Sequence, residues 1–144
     1  MMRLRLFLSL AGLAMVAACG NSGARVPSSD LKLQASLMIV VQTEGLERRA
    51  TVACTSDGGT GTGYLHDPDL AGKACRAALE PANKVLLTKG LITDRVCTEI
   101  YGGPQKATIT GAVRGDPVNA TITRTNGCGI ADWTKLEALL GPPE

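Results

Sequence analysis

Five cysteines divide this chain into an address and a fold. Cys19 closes an apolar N-terminal stretch, while Cys54, Cys75, Cys97 and Cys128 are spread through the rest. Four cysteines permit three pairings, and the residues alone select none of them, although joining nearest neighbours is the simplest. Each closure would stabilise the fold by about 3–4 kcal/mol on a chain-entropy view. A zinc site is the rival use. It needs clustered ligands, and the chain has no C-x-x-C and a single histidine, His66. Disulfides are the expected outcome.

The first 18 residues read as a lipoprotein export signal. Arg3 and Arg5 give a positive start, Leu6 to Val16 an apolar stretch, and Val16-Ala17-Ala18-Cys19 a lipobox-like cleavage site. The apolar run is too short to span a bilayer and ends in small residues, as cleaved signals do. Cys19 is therefore expected to be the lipidated first residue of the mature chain, anchored on the extracytoplasmic face of a cell membrane. Export also favours disulfides, which persist in oxidising compartments. Residues 19–30 are rich in Gly, Ser and Asn and read as a flexible tether. Residues 31–144 remain as one domain.

The formal charge of +2 does not mark a nucleic-acid binder, because Arg3 and Arg5 of the signal account for the whole excess. Beyond the signal the aromatics are Tyr64, Tyr101 and Trp133, with no basic patch interleaved among them. Nucleic acid is excluded as a partner. So small an aromatic complement leaves a core of Leu, Ile, Val and Ala, for which covalent staples matter.

Leu33, Ala35, Leu37, Ile39 and Val41 alternate as in a half-buried strand, and Ala50-Val52-Cys54 form a second after a polar turn over Thr43 to Arg48. Asp67 caps a predicted helix with Pro68 at its first position, Leu70, Ala74, Cys75, Ala78 and Leu79 at helical spacing, and Pro81 as its stop. Lys106–Arg114 and Val118–Thr125 read as a hairpin around Gly115-Asp116-Pro117. Asp132 is placed to cap a last helix with Trp133, Leu136, Leu139 and Leu140 on one face, stopped by Gly141-Pro142-Pro143. The expected class is α+β, an antiparallel sheet with two helices.

The run Gly58-Gly59-Thr60-Gly61-Thr62-Gly63 lacks the Lys-Ser/Thr of a phosphate loop and reads as a flexible loop. His66 reads as settling the turn before Pro68, Trp133 as core, and the Asn119-Ala120-Thr121 sequon as chance. No nucleophile–base order, metal-ligand cluster or nucleotide fingerprint is visible. The expectation is a protein that is not an enzyme and uses no cofactor and no metal.

Several segments taken together resemble the subtilisin inhibitor-like family, small exported proteins that block subtilisin-type serine proteases. They are the strand Leu33–Gln42; Val52-Ala53-Cys54 before the Gly-rich run; His66-Asp67-Pro68 leading to Lys73-Ala74-Cys75-Arg76-Ala77-Ala78-Leu79; Cys97-x-x-Ile100-Tyr101; and the hairpin ending near Cys128. The resemblance spans roughly Leu31 to Cys128. It implies the pairing Cys54–Cys75 and Cys97–Cys128. It implies a reactive bond between Glu99 and Ile100, with Thr98, Tyr101 and Gly102 in the protease-contact loop. Family members often form homodimers, so a homodimer is among the implied partners.

Three departures qualify the expectation. Family members usually carry Pro where Thr98 stands, an apolar or basic residue at Glu99, and Asp-Pro where Gly102-Gly103 stands. Glycines loosen a backbone, so the loop is expected to be less preorganised. An unpaired carboxylate is costly in an apolar pocket, so the expected target is a Glu-preferring protease ahead of a conventional subtilisin. The alternative reading is a lipoprotein binding or envelope module that keeps the fold without inhibiting.

Overall fold

The computed structural model describes residues 32–90 and 94–143. The export signal, Cys19 and the tether of the sequence reading lie outside the described residues.

Five strands form one antiparallel sheet: β1 (Ala35–Thr43), β2 (Leu46–Thr55), β3 (Gly58–Gly63), β4 (Lys106–Val113) and β5 (Asp116–Thr123), in the order β3-β2-β1-β4-β5. The central strand obeys its alternation, since Ala35, Leu37, Ile39 and Val41 are all buried. Leu33 does not join them. It precedes the strand and is 57% exposed. The expected polar turn shrinks to Glu44-Gly45, and β2 starts already at Leu46. The second hairpin likewise turns at Arg114-Gly115, which leaves Asp116 and Pro117 inside β5. Pro117 is tolerated there because β5 is an edge strand, where a missing N–H costs least.

The glycine run corrects the sequence reading. It is strand β3, not a flexible loop, and is paired with β2 from Thr55↔Gly58 to Ala50↔Gly63. Its composition reflects a helix lying directly on its backbone. A methyl added at Gly59 would come within 2.6 Å of the Cys75 sulfur and 2.7 Å of the Ala71 carbonyl oxygen. Only glycine leaves room for that approach.

Among the described residues four helices pack on one face of the sheet, α1 (Pro68–Leu79), α2 (Pro81–Lys89), α3 (Gly127–Lys135) and α4 (Glu137–Leu140). Asp67 caps α1 as expected, its Oδ1 accepting from the N–H groups of Asp69 and Leu70. The buried stripe of α1 is Ala71, Ala74, Cys75 and Ala78, however, with Leu70 turned outward. Small residues on that stripe let the helix seat against β3. Pro81 both ends α1 and opens α2, an element that the sequence reading did not foresee; Pro suits a first helical position as well as a stop. Asn83 then ties α1 and α2 to α3, donating to the carbonyls of Ala77 and Lys135.

Near the C-terminus the expected single helix is two, broken at Leu136, and its cap is Asn126 rather than Asp132. Asn126 Oδ1 accepts from the Gly129 N–H at 2.9 Å, while Asp132 lies within α3. The α+β class and antiparallel sheet stand, with four helices among the described residues in place of the two expected. Trp133 is core, and its Nε1 donates to the Gly141 carbonyl. The disulfides join Cys54 to Cys75 and Cys97 to Cys128. The first pins β2 to α1, and the second pins the segment before β4 to the start of α3.

Candidate functional site

From Asp94 to Gln105 the chain forms neither helix nor strand, yet it is held at several points. Arg95 binds Asp132 through Nη1 and Oδ2 at 2.6 Å, and its Nη2 reaches the Cys128 carbonyl at 3.4 Å. Cys97 is bonded to Cys128. One residue on, the Thr98 carbonyl accepts the Gly127 N–H at 2.9 Å. Four residues further, Gly102 donates its N–H to the Arg124 carbonyl at 2.8 Å. Arg124 in turn donates from Nη1 to Gln105 Oε1 at 3.1 Å.

Between those two backbone hydrogen bonds stand Glu99, Ile100 and Tyr101. All three are exposed, Ile100 at 62% and Tyr101 at 65%. Two adjacent large apolar side chains are left in water beside a carboxylate. The consecutive residues Thr98 to Gly102 thus form one segment fastened at both ends by backbone hydrogen bonds.

The two loop glycines sit close to their surroundings. A methyl at Gly102 would lie 2.6 Å from Cγ1 of Ile130 and 3.2 Å from the Arg124 carbonyl oxygen. Gly103 has φ +132°, a conformation closed to proline, and a methyl there would collide with Gln105 Oε1. Gly103 is required by its backbone conformation, and Gly102 lets the loop approach Ile130 and the Arg124 carbonyl closely.

Sequence reasoning missed the supports themselves. Asn126, immediately before Gly127 and Cys128, carries a helix-cap signal that was legible. Arg124 and the Arg95–Asp132 pair had no local signal, since their partners lie 19 and 37 residues away. His66 does settle its turn, through its backbone N–H and Nδ1 to the Gly63 carbonyl.

No protein-family model matches the sequence, and no curated protein matches it. Among solved structures, the chain is similar to Streptomyces caespitosus sermetstatin, crystallised in complex with Bacillus licheniformis subtilisin. The identity is 20% and the TM-score 0.41, over 75% of this chain and 98% of that one.

Proposed function

We propose that this chain inhibits an exported serine protease by offering the Glu99-Ile100 bond to the protease's active site as a substrate would be offered. The observation that carries this reading is the exposed tripeptide Glu99-Ile100-Tyr101 held between the Thr98–Gly127 and Gly102–Arg124 hydrogen bonds. A segment already fixed in its bound shape loses little freedom on binding. If the bond were cut, both new ends would stay in place. The Cys97–Cys128 disulfide and Gly127 hold one side, and Arg124 and β4 hold the other. Tethered ends remain at high effective concentration, which favours resealing over release. The sequence resemblance to subtilisin inhibitor-like proteins points the same way.

In this reading Glu99 fills the protease's primary pocket, with Thr98, Ile100, Tyr101 and Gly102 lining the contact. The test is an inhibition panel of subtilisin, a trypsin-like protease and a Glu-preferring serine protease. Absence of inhibition of all three at micromolar concentration would discard it. The charge on Glu99 favours a second reading, a non-inhibitory binding or envelope module on the same fold, and that outcome would adopt it.

The lipobox-like residues before Cys19 support attachment to the extracytoplasmic face of the membrane through a lipid on that cysteine. Two disulfides suit such a compartment. Among the described residues no helix is long and apolar enough to cross a membrane. Replacing Cys19 with Ser should move the protein from membrane to soluble fractions; a wild type that is already soluble refutes the anchor. A homodimer would use the helix-free sheet face, where Met38 stands exposed beside Thr51 and Thr110. Sedimentation of wild type against Met38→Lys tests it, and a monomeric wild type ends it.

A further inference from the structure

We propose that the tip of the β1–β2 hairpin, Glu44 to Glu47, is a second contact surface for the same protease that engages the 98–102 loop. The inference rests on the inhibitor reading and goes beyond it. Sheet register supplies the placement. Gln42 pairs with Lys106, so the hairpin tip projects from the end of the sheet at which the loop passes into β4. Gln42 to Glu47 share one concavity of about 400 Å³ with Pro104 and Lys106. The departing leg of the loop and the hairpin therefore form one continuous surface.

Size calls for contacts beyond the loop residues themselves. A stable protein complex covers about 800 Å² and some 20–30 residues on each partner. The five residues Thr98 to Gly102 fall far short of that, so a protease seated on them must also cover their neighbours. On the departing side the neighbour is the hairpin, whose Leu46 is 73% exposed. Leu46, Ile100 and Tyr101 are thus exposed apolar side chains at one end of the molecule.

Charge adds to the surface at the tip. Glu47 accepts hydrogen bonds from Gln42 Nε2 at 3.2 Å and Arg49 Nε at 2.7 Å, which hold its carboxyl below the usual range. Glu44 sits exposed at the apex. An apolar side chain flanked by a carboxylate fits a protease rim that presents an apolar spot beside a Lys or Arg.

The experiment measures inhibition constants of the full chain against a Glu-preferring serine protease and against subtilisin. The variants are Leu46→Ser, Glu44→Lys, Glu99→Arg and, at the opposite end of the sheet, Leu33→Ser, with melting temperatures alongside. Leu46→Ser should weaken inhibition about tenfold at unchanged melting temperature, as removal of one buried contact does. Glu44→Lys should weaken it several-fold, and Leu33→Ser should leave it alone. Unchanged constants for both hairpin variants, with Glu99→Arg still altering inhibition, overturn the second contact while the loop reading survives. A loss as large in Leu33→Ser also overturns it. Failure of the wild type to inhibit either protease overturns both.

Discussion

Arg95 brings a guanidinium nitrogen to 2.6 Å from Oδ2 of Asp132, so the residue two places before the loop cysteine is clamped to the middle of α3. The two ends of this pair are not equivalent. Asp132 is 1% exposed, and its other oxygen meets Lys135 Nζ at 3.8 Å, while the Arg95 side chain keeps 28% of its surface in water. Removing Arg95 leaves a buried carboxylate with only the distant Lys135 ammonium beside it, and breaking a buried pair in this way typically costs about 3–5 kcal/mol. Removing Asp132 leaves a cation that can turn to solvent. Arg95→Met should therefore lower the midpoint of chemical unfolding more than Asp132→Asn. The reverse order would show that Asp132, not Arg95, depends on the pair least.

The glycines of the loop give a prediction opposite to the one their composition suggests. Replacing Gly102-Gly103 with Asp-Pro would usually stiffen a chain, and stiffening favours binding. Here the Asp side chain would meet Ile130, and Pro would be forced into φ +132°. The loop should lift from Arg124 and lose the Gly102 hydrogen bond. On the inhibitor reading, inhibition weakens at least tenfold, as loss of a fixed contact of about 1.4 kcal/mol would give. Tighter inhibition by the double variant would mean that the loop rests in another conformation.

That reversal shows what was legible in the sequence. Patterns of short period carried over well. The alternation of β1, the Asp67-Pro68 start of α1 and the seating of Trp133 each follow from neighbours a few residues apart. Pairing of the cysteines came with the resemblance and not from spacing. What failed were residues whose meaning depends on a distant surface. The glycines of β3 look like a loop until α1 is laid on them, and Gly102-Gly103 look loose until Ile130 and Gln105 are beneath them. Asp132 looks like a cap until Arg95 arrives from 37 residues away. By local propensity glycine reads as a turn and aspartate as a cap, so a packing role for either is not visible from its neighbours alone.

Tyr64 predicts how stability changes in alkali. Its hydroxyl donates to the Leu139 carbonyl at 2.8 Å. Burial pushes its pKa up to about 12, against a downward pull from the Arg48 guanidinium 5.3 Å from the ring centre. In the unfolded chain the phenol titrates near about 10. Between those values the unfolded chain gives up the proton and the folded chain keeps it. The contribution is therefore complete below about pH 10 and is lost as pH rises through about 12. Denaturant unfolding of wild type and Tyr64→Phe at about pH 8 and about pH 11 isolates it, since other alkaline losses are common to both. The wild type should lose more stability than the variant; equal losses refute the link.

The last prediction concerns Glu99. On the inhibitor reading this side chain passes from water into a pocket that the complex closes. An unpaired carboxylate there costs several kcal/mol or must take up a proton. A pocket that supplies a cation or several hydrogen-bond donors turns the same group into a strong, specific contact. Inhibition of a Glu-preferring protease should therefore exceed inhibition of subtilisin. Glu99→Met should reverse the order, with subtilisin inhibition gaining about a hundredfold, the equivalent of about 2.7 kcal/mol. The fold should not register the change, because Glu99 is exposed, so the melting temperature should stay within a degree or so of wild type, as at ordinary surface positions. If Glu99→Met changes neither inhibition constant while the panel shows inhibition, the reactive bond lies elsewhere on the surface. The exposed tripeptide would then be a neighbour of the site and not its centre.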